Sequence, residues 1–175
     1  MIKSNAWYLI YTRSKHERKV ATFLAWKNIE SFLPLNKVIK QWHDRKKLIE
    51  EPLFPSYLFV YLKTADDYFE CLNCEGALTF VKTGAQVAIV SQSLIDQLQT
   101  VINNVKNIEV AGSCFTAGQQ VTITEGPLTG VSGKILKADK RNKIIVNIEL
   151  LDRSLIIDVP DYQLVNFIAP QVLTA

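Results

Sequence analysis

The sequence predicts an α+β domain followed by a small all-β barrel. Three observations lead there. Residues 1–105 intermingle strand-like and helix-like stretches without the regular repeat of a parallel sheet. Residues 118–170 hold short β-rich runs at regular spacing, with turn residues between them. Between the two, residues 106–117 are polar and small and read as a linker.

Residues 6–12 are aromatic and aliphatic and predict the first strand. Ser14 then opens a helix. With Glu17 three places on it forms a capping-box pattern, in which each side chain satisfies an orphan backbone N–H. Val20, Phe23 and Leu24 share one face of that helix; Lys15, Arg18, Lys19, Thr22 and Trp26 share another. Residues 38–42 and 47–50 flank a polar turn, which predicts a hairpin with a basic tip. Residues 52–62 form the next extended piece. Along it Tyr57, Phe59 and Tyr61 point one way, while Leu58, Val60 and Leu62 point the other. The aliphatic face suits a core under helices, and the aromatic face suits a partner.

Residues 65–75 predict a short helix, with Asp66 and Asp67 favoured at its N-terminal dipole. Residues 78–90 read as two strands broken at Thr83 and Gly84. Residues 91–105 are amphipathic, with Leu94, Leu98, Val101, Ile102 and Val105 at helical spacing. Beyond the linker, strands are expected at 121–124, 134–136, 144–148 and 154–159, with Gly126 and Gly133 in turns.

Composition narrows the function classes. The chain has 175 residues, 48% of them hydrophobic, enough to pack a core and too many for a disordered chain. No apolar run approaches the roughly 18 residues of a membrane span, and the N-terminus has no signal-peptide pattern. Three cysteines without a secretion signal argue for reduced thiols and a cytoplasmic location. Net charge is +3, but residues 1–64 carry 12 Lys/Arg against 5 Asp/Glu, whereas residues 65–175 carry 8 against 12. A polyanion therefore meets the first third of the chain. Catalytic signatures are absent: no P-loop, dinucleotide fingerprint, metal motif or nucleophile triad. Cys71 and Cys74 form a C-x-x-C pair, the pattern of a redox couple or half a zinc site. With no second pair, buried helical thiols are the simpler reading. The expected protein is a monomer that needs no cofactor.

Several segments together resemble the NusG family. The run from Trp7 to Tyr11 is similar to its opening strand. Phe54-Pro55-Ser56-Tyr57-Leu58-Phe59-Val60 is similar to its most recognisable motif, with Ser56 where Gly is usual. Gly118 to Val121, with Gly126-Pro127-Leu128 and Gly133, resembles the KOW motif of its C-terminal barrel. Pro52 to Val60, Val87 to Val90 and the hairpin tip from Gln41 to Lys47 resemble the RfaH-like branch and the antiterminators of capsular-polysaccharide operons.

The resemblance implies a partner for the aromatic face: residues matching Tyr8, Phe54, Tyr57 and Phe59 receive the clamp helices of RNA polymerase. It also implies that positions matching Arg13, His16 and Lys19 meet the exposed non-template DNA strand. The residues themselves add Lys15 and Arg18 to this patch, with Arg45, Lys46 and Lys47 at the hairpin tip, a surface suited to DNA or nascent RNA. Phe23 replaces a polar reader of the RfaH-like branch and Glu75 an arginine, so the DNA element read should differ. Asp67-Tyr68-Phe69 replaces a His-Thr-Thr segment that meets a second polymerase surface. The implied function is operon-specific antitermination, with the barrel recruiting the ribosome. The competing expectations are a general, Rho-partnered NusG and a KOW module that binds RNA or ribosomes without polymerase.

Overall fold

The structure, a computed structural model, describes residues 2–41, 46–105, 108–111, 118, 120–123, 127–138 and 141–159. The chain divides into two compact units, Met1–Gln99 and Thr100–Ala175.

The first unit opens with strand β1 (Ala6–Thr12) and helix α1 (Glu17–Trp26). Short β2 (Glu30–Phe32) follows, then the hairpin β3 (Leu35–Gln41) and β4 (Lys46–Pro52). Strand β5 (Tyr57–Leu62) leads into helix α2 (Ala65–Leu72). Four short strands come next: β6 (Ala77–Phe80), β7 (Lys82–Thr83), β8 (Gln86–Val87) and β9 (Ile89–Val90). Helix α3 (Gln92–Asn104) runs across the division between the units. The main antiparallel sheet has the order β2-β5-β1-β6, with β9 also paired to β1.

The alternation in β5 fixes the sheet's two faces. Leu58, Val60 and Leu62 are fully buried and join Ala6, Tyr8 and Ile10 of β1. Val20 and Leu24 of α1 and Cys71 of α2 complete this cluster, so the amphipathic helices cover the aliphatic face as their patterns require. Phe80 is buried with them, stacked 4.6 Å from Tyr68 and edge-on to Tyr8.

Local chemistry moves several boundaries. Helix α1 starts at Glu17, two residues inside the predicted start, and Ser14 does not cap it; the N-cap is His16, without a side-chain cap bond. Lys15 has a left-handed φ of 63° and turns the chain before the helix. The capping box occurs on α2 instead. Thr64 accepts from the Asp67 N–H, and Asp67 accepts from the Thr64 and Lys63 N–H groups at 2.9 and 2.7 Å. Partial burial acts to raise the Asp67 carboxyl, but these hydrogen bonds outweigh it and hold the group below its ordinary range. The extended piece predicted at 52–62 is broken. Pro52 ends β4, a turn over 53–56 follows, and β5 begins only at Tyr57. The segment 78–90 is split into shorter strands than expected, and β2 was not foreseen.

In the second unit, strands β10 (Ile108–Ala111), β11 (Gln120–Thr122), β12 (Ser132–Ala138), β13 (Arg141–Ile148) and β14 (Arg153–Val159) form one antiparallel sheet, ordered β10-β14-β13-β12-β11. Strand β10 lies within the stretch expected to be linker and pairs with β14. Gly133 sits in β12 rather than in a turn. A Cβ there would run into the carbonyl of Ile145 on β13, so close strand approach explains the glycine. Gly126 lies outside the described residues.

Candidate docking and nucleic-acid site

Three adjacent strands place Tyr57, Tyr11 and Thr79 in one row, since Tyr11 pairs with Tyr57 on β5 and with Thr79 on β6. The two tyrosine rings lie 5.3 Å apart at 57°. Tyr11 is 41% exposed and Tyr57 is half-buried. With Thr79, Phe80, Val81 and Lys82 they line an open cleft of about 410 Å³. Its lining is mostly apolar, with two tyrosines, a threonine and a lysine as the polar members.

The other residues expected on the aromatic face are not available there. Tyr8 is only 1% exposed and lies on the opposite, helix-covered face, where its hydroxyl donates to the Lys3 carbonyl at 2.8 Å. Phe59 is buried between Phe32 and Phe54, with centroids 6.0 and 6.4 Å away, and Phe54 is itself buried. Of the four aromatics expected to dock, Tyr57 alone is accessible. Tyr11, not singled out, is the exposed ring beside Tyr57. The parity of β1 was the available signal, because Tyr11 is three residues from Tyr8 and must face the other way.

Helix α1 presents the cationic surface. Arg13, Lys15, Arg18 and Lys19 are exposed, and Trp26 is 79% exposed at the helix end. Three acids already temper these charges. Arg18 meets Glu50 at 3.6 Å and donates to its backbone carbonyl at 3.1 Å, Lys19 meets Glu75 at 2.8 Å, and Lys27 meets Glu70 at 3.0 Å. The Lys19 ammonium, hydrogen-bonded to Glu75, holds that carboxyl below its ordinary range. Exposed pairs of this kind contribute little to stability. His16 is half-buried against Gly76, whose φ is +101°; a Cβ there would stand 2.9 Å from His16 Cβ. Lys46 and Lys47 are exposed at the start of β4, while Arg45 lies outside the described residues.

Cys71 and Cys74 are free, buried thiols. Burial, reinforced by the charges of Asp67, Cys74 and Glu70, pushes Cys71 up to about 12, and burial likewise raises Cys74. Burial that favours the protonated thiol suits a packing role for this pair. Because its folded pKa lies above the ordinary thiol value, the folded chain binds more protons than the unfolded chain at alkaline pH. Stability should therefore be full below about pH 9 and fall towards pH 12, by at most about 1.4 kcal/mol per pH unit from this group. Urea unfolding at pH 7.5 and 10.5 measures the loss, and Cys71→Ala should shrink it. Cys114 lies outside the described residues.

Among the described residues no group of three or more His, Cys, Asp or Glu could hold a metal ion. No described helix is long and apolar enough to cross a membrane. The described residues thus form an α+β unit bearing an aromatic cleft and a cationic helix, and a β unit after it.

The family described as transcription termination factor NusG matches residues 5–99, more than half the chain. The chain belongs to the NusG family of transcription termination and antitermination factors. It is 25% identical over 167 residues to the transcription termination/antitermination protein NusG of Neisseria meningitidis serogroup B, covering 86% of this chain and 91% of that protein. It is 23% identical over 160 residues to the protein of the same name in Bacillus subtilis, covering 84% and 90%. A solved structure of domain interaction in Thermotoga maritima NusG aligns with a TM-score of 0.52 at 20% identity, over 90% of this chain and 94% of that one. At that identity the likeness shows the fold.

Proposed function

We propose that this chain is an operon-selective antitermination factor whose first unit docks on the clamp helices of RNA polymerase. The observation that carries the reading is the cleft, in which Tyr11 and Tyr57 are half-exposed rings held side by side on paired strands. Rigid aromatics of this kind anchor interfaces because they bury large areas while freezing few rotors. Polymerase docking also favours this reading over a KOW module acting on RNA alone, since such a module needs no aromatic cleft.

The cationic α1 touches nucleic acid beside the docked polymerase. Arg13, Lys15, Arg18 and Lys19 meet phosphate, and Trp26 is an exposed ring available to an unpaired base. Selectivity for few operons, as against general service to all genes, is supported by Ser56 standing where Gly is usual and by the segments that resemble the RfaH-like and capsule-operon proteins. Phe23 is packed against the core and Lys19 is engaged by Glu75, so the DNA element read should differ from that of the RfaH-like branch. The second unit, read as a KOW barrel over 118–170 to whose sheet β10 adds a strand from the stretch expected to be linker, recruits a further partner, the ribosome.

Reversing charge at Lys15 and Lys19 tests the division of labour. Recruitment to paused complexes on a cognate leader should fall more than binding to polymerase without DNA. Each lost phosphate contact should flatten the salt slope by roughly 0.7 to 0.9. An equal fall in both assays assigns α1 to the polymerase interface, and no change in either makes it a solvated face. Genome-wide occupancy decides between selective and general service: few operons are expected, and occupancy of all genes overturns the selective reading.

A further inference from the structure

We propose that Glu17 is the positioning residue of the docking cleft: its buried carboxylate holds Ser56 in a left-handed conformation and so sets Tyr57 beside Tyr11. The functional consequence rests on the polymerase-docking reading above; the structural one does not.

Glu17 is the first residue of α1 and is almost fully buried, unlike its charged neighbours Arg18 and Lys19. Its Oε1 accepts the Ser56 N–H at 2.6 Å, across 39 residues of sequence. The Ser56 carbonyl accepts from the Thr12 N–H at 2.8 Å, so the residue is gripped on both sides. Between those grips Ser56 has φ of 68°. A residue with a Cβ resists that conformation, which glycine adopts freely. A short hydrogen bond to a buried acceptor offsets the resistance. The Tyr57 N–H then closes the turn on the Phe54 carbonyl at 3.2 Å, and β5 begins with the Tyr57 ring 5.3 Å from Tyr11. The same carboxylate also ties the start of the cationic helix to the docking loop, since Glu17 is continuous with Arg18 and Lys19.

If Glu17 compensates for a side chain at position 56, its importance must depend on that side chain. The test uses the full chain and four variants: Glu17→Ala, Glu17→Gln, Ser56→Gly and the Glu17→Ala/Ser56→Gly pair. Glu17→Ala should weaken binding to core RNA polymerase by about tenfold and abolish the nuclear Overhauser contact between the Tyr11 and Tyr57 rings. Glu17→Gln keeps a carbonyl acceptor and should retain both. Ser56→Gly should bind normally and, in the pair, restore affinity to within about threefold of the parent and recover the ring contact. A loss from Glu17→Ala that is equally large with and without Ser56→Gly overturns the proposal, as does an unchanged ring contact in Glu17→Ala. The ring contact needs no polymerase. If it responds as expected while the parent chain fails to bind polymerase, the docking reading falls and the positioning role stands.

Discussion

Tyr57→Ala should weaken binding to core RNA polymerase by about 30-fold or more and leave unfolding nearly unchanged. Truncating an anchoring aromatic at an interface typically costs about 2 kcal/mol or more, and about 2 kcal/mol is some 30-fold in affinity. Tyr57 has the attributes of such an anchor. Its ring is half-exposed, it lines the cleft, and strand pairing fixes it beside Tyr11. Its part in stability is small by comparison, chiefly the ring pair with Tyr11, for which about 1 kcal/mol is a fair magnitude. Equilibrium binding and urea unfolding on the same preparation separate the two effects. Unaltered affinity in a folded variant would remove Tyr57 from the docking surface.

Phe59→Ala should do the reverse. Its ring is 1% exposed and packed between Phe32 and Phe54. Truncating a buried phenylalanine costs about 3 to 5 kcal/mol, because the lost transfer free energy is joined by the cavity left behind. Urea denaturation should show that loss. Any fall in polymerase binding should follow the unfolded fraction and disappear at low temperature under stabilising conditions. A destabilisation under about 1 kcal/mol, with a large loss of affinity, would return Phe59 to the interface.

These two residues show where the sequence was informative. The period of two in β5 separated the aliphatic face from the aromatic one, and the helices covered the aliphatic face as expected. What periodicity does not show is what covers the other face. Phe59 is buried against Phe54 and against Phe32, the latter on a strand of three residues too short to announce itself. The exchange of Tyr8 for Tyr11 is a matter of register. Parity along β1 sets Tyr8 and Tyr11 on opposite faces, and the pairing of Tyr8 with Val60 and of Tyr11 with Tyr57 shows which of them faces the helices. Local chemistry misled at Ser14 and Glu17. The spacing of a capping box was present, but the carboxylate was taken by a loop 39 residues away. At Thr64 and Asp67 the same motif, with no competing partner in that role, formed. Charge was legible as a surplus in residues 1–64 and not as a pattern of pairs. Glu50, Glu70 and Glu75 reach α1 from other elements, a proximity that linear sequence does not express. Strand β10 was hidden for a similar reason, since its partner β14 lies some 45 residues on and Ile108–Ala111 is too short to stand out from polar surroundings.

The most direct test of the docking account is a site-specific photocrosslink. A benzophenone side chain placed at Tyr57, and a control at Leu48, which is exposed on β4, would be irradiated with core RNA polymerase in the 175-residue chain. The account predicts a crosslink from position 57 to the clamp helices, competed away by unmodified protein, and little or none from position 48. Crosslinks from position 57 to another polymerase surface, or equal yields from both positions, would contradict it.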